Sequence, residues 1–194
     1  MTGVPNALSA LRLVLAPVLL ALAWWGAAHT FVVCLALSLA TDIVDGQIAR
    51  RTGQTSQLGA VLDSWADFAT YTSLPPSVWW LRPEFVRAEA VFLAVALASY
   101  VVPVTIGFLK YGRLTSYHTR GAKLAAYLGG ASALVVFAGG PALPFRLATG
   151  VLVLAELEEI AITAVLPTWH ANVPSLAHAR GLAARPQGVV ATRR

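Results

Sequence analysis

The chain has 194 residues and four aspartates, Asp42, Asp45, Asp63 and Asp67, all within 26 positions. Asp42 and Asp45 are spaced i,i+3 and Asp63 and Asp67 i,i+4, so on helices each pair shares one face. A short connection between two such helices makes them antiparallel neighbours and brings the four carboxylates together. Converging carboxylates at low dielectric repel one another and favour protonation. One or two bound divalent cations remove that repulsion, and all-oxygen ligation suits Mg²⁺ or Mn²⁺ rather than zinc or copper. Gly46 and Ala49 lie on or beside the Asp45 face and leave a notch where a flat or bulky group can approach the backbone. The plainer alternative is interfacial ion pairing with Arg50 and Arg51. One Asp-x-x-Asp would not separate the two readings; two face-matched pairs favour the metal.

The elements that must position these residues are helices in a membrane. Hydrophobic residues make up 57% of the chain, mean hydropathy is +0.68, and 12% of residues are charged, against about 25% in a soluble domain. That composition argues against a soluble globular protein, a disordered tail and a nucleic-acid-binding module. The one cysteine, Cys34, excludes a disulfide framework and a cysteine-ligated zinc site. A spanning helix needs about 20 apolar residues, and the sequence predicts an all-α bundle of six, at about 7–28, 30–51, 58–81, 87–110, 116–138 and 143–166. Loop chemistry separates them: Gly26 to Thr30, Arg51-Thr-Gly-Gln-Thr, Arg82-Pro-Glu, Gly112-Arg-Leu-Thr, and Gly139-Gly-Pro with Pro144. Pro167 closes the last helix, and 167–194 reads as a cytoplasmic tail with a short structured stretch. The first segment has no basic leader and carries Arg12 inside its apolar run, so it reads as a retained helix.

Basic residues set the expected orientation. With the N-terminus in the cytoplasm, Arg12, Arg50, Arg51, Lys110, Arg113, Arg120, Lys123, Arg180, Arg185, Arg193 and Arg194 fall on the cytoplasmic side, and Arg82, Arg87 and Arg146 on the other, 11 against 3. This places both termini in the cytoplasm, in a bacterial-type inner membrane, and opens the aspartate site to the cytoplasm. Trp24-Trp25, Trp79-Trp80 and Trp169 fall at span ends, where amphipathic rings sit well.

From Asp42 the chain reads DIVDGQIARRTGQTSQLGAVLDSWAD, with spacing D-x2-D-G-x2-A-R-x8-G-x3-D-x3-D. This resembles, in full, the signature of the CDP-alcohol phosphatidyltransferase family, whose architecture is likewise six transmembrane helices. The resemblance covers the first three helices by motif and the remainder by helix count. It implies that Asp42, Asp45, Asp63 and Asp67 hold two divalent cations, Mg²⁺ or Mn²⁺, on the pyrophosphate of a CDP-linked lipid. It implies Asp67 as the general base that takes the proton of an acceptor hydroxyl, which attacks the lipid-side phosphorus and expels CMP. Asp42, Gly46, Ala49, Arg50 and Gly59 would line the nucleotide pocket, with Arg50 near the phosphates. The implied role is phospholipid biosynthesis: a phosphatidyl group passes from CDP-diacylglycerol to a small polar alcohol, and the family is commonly dimeric.

The acceptor is less sharply marked. Pro5-Asn6-Ala-Leu-Ser9-Ala-Leu-Arg12 looks like the start of glycerophosphate-accepting members, and glycerol 3-phosphate is the first expectation, in the manner of a phosphatidylglycerophosphate synthase. Leu62-Asp-Ser-Trp-Ala-Asp67 reads more like serine-accepting members, and the lysine-rich G-K-x-K-T segment of many glycerophosphate enzymes is missing. In its place Lys110 to Lys123 holds Arg113, Arg120 and Lys123, which can bind an acceptor phosphate. The same cluster also reads as an anchor on anionic headgroups. His118 within it reads as structural or interfacial.

Glu156 and Glu159 share a face of the sixth helix and are expected to turn inward; Glu158 points elsewhere, towards a dimer contact. Pro103 reads as a kink and Gly129-Gly130 as a close-packing site. An ion path through the aspartates is the rival function class. The fixed Gly, Ala and Arg between the aspartates and their one-sided placement favour the enzyme.

Overall fold

The computed structural model describes residues 4–52, 57–112, 117, 119–170 and 173–184. Among them it is helical throughout, with α1 (Val4–Trp24), α2 (Ala28–Thr52), α3 (Gln57–Leu81), α4 (Pro83–Ala88), α5 (Ala90–Tyr111), α6 (Arg120–Phe137), α7 (Leu143–Val165) and α8 (Leu176–Ala183). The six long helices match the six expected segments to within a few residues, and two short helices join them. α4 begins with Pro83 in its first turn, where a missing N–H costs nothing, and it ends at Glu89, so the expected helix over 87–110 is two elements. α8 is capped by Ser175, whose Oγ accepts from the His178 N–H.

Two helices, Asn6–Trp24 and Ala90–Tyr111, are long and apolar enough to cross a membrane, and Ala28–Val44 is apolar but shorter. The site residues account for the shortfall in α2, where apolar sequence gives way to Asp42, Asp45 and Arg50.

Contacts divide the chain into two units, Met1–Ala90 with Gly130–Ala142, and Val91–Gly129 with Leu143–Arg194. In the first unit α1 packs on both α2 and α3. The buried face of α1 is Ser9, Arg12, Ala16, Leu19 and Ala23, a strict three-four spacing. α3 presents Ala66, Thr70, Ser73 and Ser77, and α2 presents Phe31, Leu35 and Ser38. Small side chains on α3 let backbones approach closely, the usual device where lipid supplies no hydrophobic drive. Gly26, at φ 72°, ends α1.

Pro75 and Pro76 stand inside α3. Each removes a backbone donor to the carbonyl four residues back. Hydroxyls crowd this stretch: Thr72 Oγ1 donates to Phe68 O at 2.6 Å, Ser73 Oγ to Thr70 O at 2.7 Å, and Ser77 Oγ to Ser73 O at 2.7 Å. These bonds satisfy the hydroxyls within the helix rather than the Tyr71 and Thr72 carbonyls that the prolines leave without a donor.

Of the two glycines expected at a close-packing site, Gly130 is one: a Cβ there would lie 3.3 Å from Leu39 Cδ1, whereas Gly129 has open space. Gly130→Val is therefore expected to lower stability by about 1–3 kcal/mol through overpacking, and Gly129→Val to have a much smaller effect. Thermal unfolding in detergent measures both.

In the second unit the end of α7 is a hub. Tyr117, Ile162, Leu166, Val173 and Ala179 form a buried cluster, with Leu176 and Leu182 packed against it. Tyr117 Oη lies 2.9 Å from Thr163 Oγ1, and Tyr111 Oη donates to the carbonyls of Thr163 and Leu166 at 3.0 and 2.8 Å. Pro103 is buried within a continuous α5.

Candidate active site

The first and last aspartates of the motif meet. Asp42 comes from α2 and Asp67 from α3, and the Oδ1 of each lies 2.6 Å from the same atom, Nη1 of Arg12 on α1. Both bonds are charge-assisted hydrogen bonds donated by the guanidinium. Burial is unequal: the Arg12 side chain is 2% exposed, while those of Asp42 and Asp67 are 35% and 41% exposed. The cation sits behind, and the carboxylates keep an accessible side.

Beside them is a cavity of about 10 Å³ lined by Arg12, Ser38, Leu39, Asp42, Asp67, Thr70 and Tyr71. It is at the lower limit for one water molecule. Ser38 Oγ and Thr70 Oγ1 are buried without a hydrogen-bond partner among the described residues. Both line this cavity, so a water there has polar groups to satisfy.

Asp45, Gly46, Ala49 and Arg50 are positioned by α2 and Asp63 by α3, but their side chains lie outside the described residues. Gly59 is half-buried in the first turn of α3. Among the described residues no three acidic, histidine or cysteine side chains group as a metal site. The donor chemistry of the described pair nevertheless fits a hard divalent cation. Two carboxylate oxygens from different helices converge on one point of positive charge, and all-oxygen donors suit Mg²⁺ or Mn²⁺. Arg12 holds that point from the buried side, and the exposed sides of the two carboxylates are where a cation would be held.

A family model described as CDP-alcohol phosphatidyltransferase matches residues 2–165. The chain belongs to the CDP-alcohol phosphatidyltransferase family. It is thereby an enzyme of a membrane-embedded, generally divalent-cation-dependent class, which takes a CDP-alcohol and an alcohol acceptor and transfers a phosphatidyl group. No curated protein and no solved structure matches the chain. For this phosphatidyltransferase the ion-path alternative gives way to the enzyme.

In the sequence Arg12 is not placed with the aspartates; there it serves as a topological charge, as a mark of a retained helix and as the end of the Pro5 to Arg12 segment. A signal was present, because an ionisable residue inside an apolar span is a functional candidate by default. The plainer alternative pairs the aspartates with Arg50 and Arg51, whose side chains lie outside the described residues; the structure shows a partner from α1. Ser38, Thr70 and Tyr71 carried no signal, since isolated hydroxyls in a helix have none.

Lys110 is not free for an acceptor: its Nζ donates to the carbonyls of Thr163 and Ala164 at 2.6 and 3.1 Å, capping the C-terminus of α7. Lys110→Met is therefore expected to cost about 1–2 kcal/mol of stability and to leave the acceptor KM unchanged; unfolding and steady-state kinetics on one preparation check this. Arg120 and Lys123 are exposed, and Arg113 and His118 lie outside the described residues. Glu158 has a role within its own chain. Its Oε1 accepts from the Leu176 N–H at 3.0 Å, satisfying an orphan donor in the first turn of α8. Glu156 and Glu159 are half-buried.

Proposed function

We propose that this transferase is an integral membrane enzyme of six transmembrane helices, one domain over 1–166 with a cytoplasmic tail over 167–194, facing its site to the cytoplasm. On this reading it moves the phosphatidyl group of CDP-diacylglycerol to glycerol 3-phosphate and releases CMP. The observation that carries the reading is the meeting of Asp42 and Asp67, which brings the two ends of a 26-residue motif to one point.

Asp42, Asp45, Asp63 and Asp67 are assigned to two Mg²⁺ or Mn²⁺ ions, and Asp42, Gly46, Ala49, Arg50 and Gly59 to the nucleotide. When bound, divalent cations neutralise the charge of the pyrophosphate and of the departing phosphate. Asp67 takes the proton of the acceptor hydroxyl. The hydroxyl oxygen forms a bond to the phosphorus that carries diacylglycerol, and the bond from that phosphorus to the bridging oxygen breaks. CMP leaves with that oxygen and its electron pair. The exposed side of Asp67, with Arg12 behind it, leaves the carboxylate reachable by a hydroxyl.

Glycerol 3-phosphate is favoured by Pro5-Asn6 through Arg12. Serine, or an inositol phosphate, is the second reading, favoured by Leu62-Asp-Ser-Trp-Ala-Asp67. Purified protein with CDP-diacylglycerol, Mg²⁺ or Mn²⁺ and a panel of these alcohols decides between them. Release of CMP only with glycerol 3-phosphate supports the first, and release only with serine overturns it.

Arg113, Arg120 and Lys123 are assigned to an acceptor phosphate. Arg120→Ala and Lys123→Ala are each expected to raise the acceptor KM by about tenfold or more, at about 1.5–3 kcal/mol per charged hydrogen bond, and to leave the KM for CDP-diacylglycerol nearly unchanged. Unchanged acceptor KM in both variants would reduce the cluster to a headgroup anchor.

A further inference from the structure

We propose that Arg12 is a positioning residue of the transferase site: a counter-cation built into α1 that holds Asp42 of α2 and Asp67 of α3 in one frame. One nitrogen serves both carboxylates, 30 and 55 residues away in sequence, at 2.6 Å each. This makes the bond a tether between three helices rather than a local pair. The contrast within the chain is Arg87 with Glu84, a pair at 2.7 Å whose side chains are 74% and 85% exposed; such a pair contributes little because water screens it.

Arg12 occupies a position in the buried seam of α1 where Ala16, Leu19 and Ala23 supply plain packing. A charge there is costly unless paired, and once paired its removal takes a shared positive charge from two neighbouring carboxylates. Thr70 of α3, a small residue, lines the same cavity as the guanidinium. Because Arg12 is buried and both acids are partly exposed, it orients them from behind while their other side stays open to substrate. Arg12 thus acts on the reaction through Asp42 and Asp67.

The test is a double-mutant cycle in detergent, read by thermal unfolding in EDTA and in Mn²⁺. Arg12→Gln is expected to lower Tm in EDTA by about 10 °C, and Arg12→Lys, which keeps the charge, by clearly less. In an Asp42→Asn/Asp67→Asn background, Arg12→Gln is expected to lose most of its effect. Mn²⁺ is expected to raise the Tm of Arg12→Gln by more than it raises that of the wild type, because the metal supplies the missing positive charge. Equal cost of Arg12→Gln in both backgrounds, or equal damage by Lys and Gln, overturns the proposal and leaves Arg12 a packing residue. Should Arg12→Gln fail to fold, its recovery on neutralising both aspartates supports the tether, and failure in both backgrounds overturns it. Only the Mn²⁺ arm rests on the metal-dependent reading of the site. Wild-type Tm indifferent to Mn²⁺, with the cycle still coupled, would sink that reading and leave the tether standing.

Discussion

Asp67→Asn is expected to slow CMP release by about 10²–10⁴-fold, the range that a positioned general base contributes, with the fold retained. Asparagine has nearly the same shape, and its Oδ1 can still accept from Arg12 Nη1, the contact that Asp67 makes at 2.6 Å. It has no carboxylate to take a proton from the acceptor hydroxyl. The loss should therefore fall on kcat, with a smaller change in KM for CDP-diacylglycerol, since an interaction used only in the transition state lowers turnover rather than ground-state binding. Steady-state CMP release at saturating substrates, with Tm in detergent measured on the same sample, separates chemistry from misfolding. Turnover within fivefold of wild type would remove Asp67 from the role of base.

Chelation is the second large effect. EDTA is expected to lower CMP release by about 10²-fold or more, because charge neutralisation by a metal supplies several kcal/mol in phosphoryl transfer, and Mg²⁺ or Mn²⁺ should restore it. Zinc, which prefers nitrogen and sulfur ligands, should restore it poorly, because the described donors, Asp42 and Asp67, are carboxylate oxygens. Far-UV circular dichroism before and after chelation shows whether the helices persist. Activity that survives exhaustive chelation unchanged would exclude metals from the mechanism.

Much of this arrangement is legible in the sequence, and the gaps have physical reasons. The long helices show because each is a run of apolar residues closed by Gly or Pro, a signal carried by neighbours in the chain. α4 is hidden because Arg82-Pro-Glu reads as a loop, whereas a proline in the first turn is also compatible with a short helix. The meeting of α2 and α3 carboxylates shows because the short connection between two aspartate-bearing helices makes them neighbours, as Asp42 and Asp67 are. Arg12 does not show as their partner: the pairing is tertiary, and a lone arginine in an apolar segment fits a topological count equally well. The intrachain roles of Lys110 and Glu158 are hidden for the same reason. Their charges suggest ligands or partner subunits, while the fold uses one to cap the end of α7 and the other to receive the first turn of α8. The composition of a helix end does not say which backbone groups in another element need a donor or an acceptor.

The edge-to-face pair of Trp24 and Trp80, with ring centroids 5.1 Å apart, gives a measure of depth. Both rings are exposed, at the C-terminal ends of α1 and α3, and with such rings at headgroup level they mark one membrane surface. Arg12 precedes Trp24 by twelve residues of helix, which is roughly 18 Å along the axis. In a hydrocarbon core about 30 Å thick, this sets Arg12 and the carboxylates it holds roughly 12 Å inside the opposite surface. On the proposed assignment of Asp42 and Asp67 to the reaction, and with α1 along the bilayer normal, the reacting phosphorus sits below the level of ordinary headgroups. A water-soluble alcohol reaches it only through an aqueous recess, while the acyl chains of the lipid donor extend sideways into the bilayer.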